Sequence, residues 1–191
     1  MSNTYKPINL KLLLIAVLFS LPFFSHAQPA RACIKILEKN HGFQDLKVGS
    51  LITDLGNKVE QAKDHENYLH GVQYYQVIDT NLLKAGKNIK ISKIWLGVYQ
   101  QKITYIHLYL DPSCGKSMLT ELKSNYGAGL QPNRRMKKYH WKSSHVLLRL
   151  NLNDPNNAAV LYADRDLNEQ VFAQLTNAAS DEPTEFITKA P

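Results

Sequence analysis

The sequence predicts an α+β fold, an antiparallel sheet with helices packed on one face, and three kinds of observation carry that prediction. Apolar residues recur at helical spacing in some segments. They form short β-branched and aromatic runs in others, and the connections are short and rich in Gly, Asn, Asp and Ser. Period decides between helix and strand, and punctuation by turn residues separates the elements.

The N-terminus reads as a leader. Lys6 and Lys11 precede the apolar run LLLIAVLFSLPFF, and Ser25 and Ala27 supply the small residues that a signal peptidase requires. The run is short for a helix rising about 1.5 Å per residue through a hydrocarbon core of about 30 Å. Residues 1–27 are therefore expected to be a cleaved signal peptide, with a secreted or periplasmic chain starting at Gln28 and no integral membrane span after cleavage. Residues 28–179 suit one domain, followed by a flexible tail over 180–191. Loss of the leader removes two lysines and no acid from a chain whose formal charge is +7. The remaining positive excess favours anionic partners.

Cys33, Ile34 and Leu37 recur at helical spacing in ARACIKILEKNHG, and Asn40 and Gly42 stop that helix. In GFQDLKVGSLITDLGNKV a short extended piece precedes a helix from about Ser50 to Leu55. VQYYQVI reads as a strand, and KISKIWLGV and ITYIHLYL flank YQQK as a hairpin. In YLDPSCGKSM the Gly-Lys-Ser of a phosphate loop lacks the glycine five residues upstream, where Leu110 stands, and Asp111 would repel phosphate. The same residues read fully as a helix start: Asp111 caps, Pro112 takes the first turn, Cys114, Met118 and Leu122 face inward, and Gly127 ends it. KKYHWK and HVLLRLNL pair around Ser143-Ser144, and AAVLYA follows the turn-rich NDPNN. Asp166 with Glu169 resembles a capping box opening a last helix whose stripe is Leu167, Val171, Leu175 and Ala178.

Cys33 and Cys114 are the only cysteines. In an oxidising compartment they are expected to pair, closing a loop long enough to contribute about 4 to 5 kcal/mol through the unfolded chain. Two buried free thiols are the alternative.

Taken in order, the elements repeat as helix then three strands, twice, and LITDLGNKV and MLTELKSNYG open the two units with similar cores. DLKVGSLITDLGN resembles the entry of the SmpA/OmlA-like outer-membrane assembly lipoproteins, and the tandem order resembles the β-lactamase-inhibitor protein fold. The lipoproteins' acylated cysteine has no counterpart here, and no inhibitory loop is present to match. The resemblance implies an envelope-associated or protein-binding module and transfers no functional residue.

The strongest local feature is RRMKKYHWKSSHVLLRL. With a two-residue turn at Ser143-Ser144, Lys138 faces Arg149 and Lys142 faces His145. Alternation then places Tyr139, Trp141, Val146 and Leu148 on a core face and Lys138, His140, Lys142, His145 and Arg149 on the other. Arg134, Arg135 and Lys137 lie just upstream. Like charges opposite one another cost up to about 1 kcal/mol each, so this surface is expected either to be well solvated or to meet an anion. A protein surface or an anionic envelope component is the expected partner, and nucleic acid is not expected outside the cell. The cations around His140 and His145 would repel a divalent ion, so no metal or other cofactor is predicted. No catalytic residues are assigned: the glycines and serines form no nucleophile elbow, and Asp164 with Asp166 is explained by helix capping. The competing reading is a small exported hydrolase-like enzyme assembled from residues distant in sequence.

Overall fold

The computed structural model describes residues 28–62, 71–86, 88–154, 156 and 158–180, with the side chains of 28–33 and 176–180 outside that description. The expected leader and the tail beyond Ser180 lie outside the described residues.

Helix α1 (Gln28–Asn40) ends where His41 takes a positive φ of 51°. That reversal feeds a small ribbon of β1 (Gly42–Phe43) and β2 (Leu46–Lys47). The helix expected from Ser50 is instead a 3-10 segment over Ile52–Lys58, because Gly56 leaves helical backbone at φ 51° and the turn cannot propagate. Its buried Ile52 and Leu55 still face the core. There follow β3 (Val59–Gln61), β4 (Gln73–Val77), a 3-10 turn over Thr80–Leu83, and β5 (Lys84–Ala85). The long hairpin of β6 (Ile89–Tyr99) and β7 (Lys102–Leu110) turns at Gln100 and Gln101, both at positive φ, the twist that tight hairpins demand.

Helix α2 (Gly115–Tyr126) begins as read from sequence. Asp111 accepts from the Ser113 N–H at 3.0 Å, Pro112 opens a 3-10 turn, and the Gly127 N–H closes the far end on the Lys123 carbonyl at 2.9 Å. Strands β8 (Lys138–Lys142), β9 (Val146–Asn151) and β10 (Ala159–Asp164) then lead into α3 (Arg165–Ser180). The cap of α3 differs from the expected one: the Asp164 carboxylate, not Asp166, accepts from the Leu167 N–H at 2.9 Å. Asp166 is thereby free of the cap and turns to His145.

Among the described residues the main sheet runs β3-β4-β6-β7-β10-β9-β8, with β5 also on β6, and every pairing is antiparallel. Each half contributes a meander, and the last strands of the two halves, β7 and β10, meet at the centre. Leu37 of α1 and Met118, Leu122 and Tyr126 of α2 cover one face, together with Ile94, Leu96, Ile106, Leu108, Leu148, Leu150 and Val160. The third helix crosses the opposite face. Leu167 and Val171 pack there on Tyr99, Tyr105 and Ala163, and the Tyr105 hydroxyl donates to Asn168 Oδ1 at 2.8 Å. No helix among the described residues is long and apolar enough to cross a membrane.

Candidate functional site

Cross-strand register arranges the outer face, the one carrying α3, into three rows. The middle row reads His140, Arg149, Leu161, His107, Trp95, Gln76, Glu60 from β8 to β3. Beside it run Lys138, Asn151, Ala159, Tyr109 and Lys93. On its other side lie Lys142, Leu147, Ala163, Tyr105, Gly97 and Tyr74. Helix α3 covers this last row, while Trp95, His107, Tyr109 and Leu161 are only half-buried and Arg149 and Lys93 are exposed. At neighbouring-strand spacings of about 4.8 Å, the stretch from His140 to Trp95 spans about 19 Å.

The centre of this surface is aromatic and its flanks are cationic. The His107 and Tyr109 rings lie 4.5 Å apart, tilted by 37°. Lys93 Nζ stands 4.7 Å from the Tyr109 centroid and 5.9 Å from that of Trp95, so one ammonium serves two ring faces. No position of β6 to β10 in these rows holds a carboxylate; the nearest in the register is Glu60, at the far edge. Burial and then Lys93 hold His107 below the ordinary histidine range. Burial, then Arg149 and Lys138, do the same to His140. Both pushes follow from placing a titratable base among fixed cations on a partly dry surface.

The basic hairpin contributes its expected face with one change. The turn falls one residue later, at Ser144-His145: the Ser143 N–H donates to the Val146 carbonyl at 2.9 Å, and the Val146 N–H donates to Ser143 Oγ at 3.0 Å. Lys138 therefore faces Asn151 rather than Arg149, and Arg149 faces His140. A shift of two in pairing preserves side-chain parity, so Tyr139, Trp141, Val146 and Leu148 keep the core face and Lys138, His140, Lys142 and Arg149 the outer one. His145 leaves the basic face. Its Nδ1 lies 3.1 Å from Asp166 and its Nε2 lies 3.5 Å from Glu38, which ties the turn to α3 and α1. Arg134, Arg135 and Lys137 sit exposed in the loop that lines the β8 edge, where Leu130 pairs with His140. No three His, Cys, Asp or Glu side chains gather as a metal set among the described residues.

Nothing among the family models, the curated proteins or the solved structures matches this chain. Besides the outer face there is a cleft of about 330 Å³ lined by the buried Met118, Leu122, Tyr126 and Tyr162 and by the half-exposed Lys47 and Glu121. Tyr162 is hydrogen-bonded to Tyr126, and burial raises its phenol well above the ordinary range. A phenol pair beside a lone carboxylate offers no nucleophile with an adjacent base. The Cys114 thiol is buried and receives the Lys90 N–H at 3.3 Å, while the side chain of Cys33, and with it the expected bridge, lies outside the described residues.

The sequence reads His107 as an ordinary sheet residue among aromatic neighbours, and it assigns no role to Lys93, Trp95 or Tyr109. One signal was available: in ITYIHLYL the alternate positions Tyr105, His107 and Tyr109 form a polar-aromatic stripe opposite an aliphatic one. The partners of that stripe across β10 and β9 come from residues about forty to sixty positions later, which local periodicity does not reveal.

Proposed function

We propose that this chain is an exported, non-catalytic binding module that meets an anionic partner through the outer sheet face and its basic hairpin. The observation that carries the reading is the row from His140 to Trp95: an aromatic centre, flanking cations from three strands, and no carboxylate among them. Lys138 and Arg149, diagonal neighbours on adjacent strands, repel one another in the absence of a counterion, and an anion laid across them toward Lys93 relieves that repulsion and meets a third cation. The leader-like N-terminus supports the exported setting, and the resemblance to envelope-associated modules points to the same class. A hydrolase-like reading set in the Tyr126–Tyr162 cleft would find no histidine, aspartate or serine in its lining.

The test compares two triple variants of equal net charge. Neutralising Lys93, Lys138 and Arg149 to Gln should abolish retention on a sulfated or carboxylated matrix at moderate salt. Neutralising the exposed Lys35, Lys39 and Lys116, which stand on the helices of the opposite face, should weaken it only slightly. Equal losses would reduce the surface to bulk charge and remove the proposal.

A further inference from the structure

We infer that the partner of the outer face is an acidic polysaccharide, bound as an extended chain lying across the strands with its sugars against Trp95, His107 and Tyr109 and its acid groups on Lys93, Arg149 and Lys138. This rests on the reading above that the outer face is the binding surface, and it adds the class of ligand.

The shape of the surface argues for a linear ligand. Helix α3 leaves β10 at Arg165, whose N–H donates to the His145 carbonyl at 2.8 Å. By Gln174 it has reached Gly71 beside β4, where the side-chain oxygen is 3.4 Å from the position a Cβ would take. The helix therefore runs across the strands, alongside the middle row, and forms a wall about 10 Å across beside it. A flat bilayer resting on that wall is held away from Trp95 and Leu161. A single extended chain can lie at its foot.

The chemistry of the surface argues for sugar acids. A pyranose presents an apolar C–H face and a polar edge, and a half-buried aromatic ring takes the first while leaving the second to solvent or to charged side chains. Trp95 is such a ring, and Lys93 stands 5.9 Å from it while also lying against Tyr109, which His107 contacts as well, so a sugar stacked on Trp95 would have an ammonium beside its ring substituents. Three strand intervals along the same row, about 14 Å away, the Arg149 guanidinium offers a fork that suits a carboxylate or sulfate. His107 and His140 are held neutral near neutrality, so each can both donate and accept toward hydroxyls. A ligand with hydroxyls between its acid groups uses this alternation of aromatic, neutral and cationic positions; a phosphate backbone would use the cations alone.

The experiment titrates the purified chain with a uronic-acid tetrasaccharide, its uncharged counterpart of the same linkage, phosphatidylglycerol vesicles and a single-stranded oligonucleotide, reading tryptophan emission and heat. Trp141 is 4 % exposed and sealed by the Gly127 carbonyl, so a ligand-induced change in emission reports Trp95. The expected result is binding of the acidic tetrasaccharide with an emission change, at least about tenfold weaker binding of the neutral one, and a similar loss for Trp95→Ala. Trp95→Phe, which keeps a ring and guards against a folding defect, should retain most of the affinity. Tetrasaccharide affinity unchanged in Trp95→Ala, or tighter binding of vesicles or oligonucleotide than of the tetrasaccharide, overturns the sugar assignment while leaving an anion-binding face. If no acidic probe is weakened by neutralising Lys93, Lys138 and Arg149, the binding face itself falls and the inference goes with it.

Discussion

Gly97 occupies the outer row next to Tyr105, and a Cβ there would come within 2.7 Å of the Tyr105 ring. That ring is held in place by its bond to Asn168. Gly97→Ala should therefore destabilise the chain by about 1 to 3 kcal/mol, as overpacking does, and a lower midpoint in urea denaturation at unchanged slope would register it. His145 shows the opposite case. Its two carboxylate contacts look strong, yet its side chain is 60 % exposed, so water screens both. His145→Ala should cost no more than about 1 kcal/mol, whereas Leu148→Ala, which empties a fully buried site, should cost about 2 to 5 kcal/mol. Thermal denaturation of the two variants in one buffer ranks them, and a larger loss for His145 would show the turn contacts to be more than surface ion pairs.

The hairpin of β8 and β9 illustrates how an element can shift without changing its role. Ser143 rather than Lys142 closes the turn because its hydroxyl accepts the Val146 N–H while its own N–H reaches the Val146 carbonyl. Arg165 adds bonds from its guanidinium to the Ser143 and Ser144 carbonyls, so the turn is fastened to the start of α3. Helix α3 is fastened in its middle by Tyr105. Burial, helped by Tyr74, pushes that phenol up to about 12, so it remains a donor to Asn168 across the working pH range. Tyr105→Phe should remove about 0.5 to 1.5 kcal/mol of stability, provided the Asn168 amide can turn to water. Faster hydrogen exchange confined to α3 would locate the loss in that helix.

Over the whole molecule, acidification should weaken the fold and tighten the anion. His107 and His140 are both lowered from the ordinary value of 6.5. The unfolded chain takes up these protons first as pH falls through about 6.5, so stability present above that value is lost toward the lower folded values. Glu38 is also lowered, first by its hydrogen bond with Ser143, and its contribution is present above its unfolded value of 4.5 and lost as pH falls through the folded one. The same histidine protons add charge to the middle row. Urea midpoints should fall, and retention on an anionic matrix should rise, between about pH 7.5 and about pH 5.5; retention that falls in step with stability would place the binding elsewhere.

Residue order alone sufficed for the α+β class, the cap and end of α2, and the two sides of the β8–β9 hairpin. Each depends on neighbours a few positions apart: the Asp111-Pro112 pair, the glycine at 127, the alternation from Lys138 to Lys142. Three-dimensional packing was needed for the rest. The centre of the outer face joins Trp95 and His107 to Leu161 and Arg149 across the β7–β10 seam, and no local period records which distant strands will pair. The turn joins a local cause, the Ser143 bonds to Val146, to distant ones, with Arg165, Glu38 and Asp166 holding Ser143 to His145. Short-range stereochemistry is written in every pentapeptide, whereas a surface assembled from several strands exists only after the chain has closed its long loops.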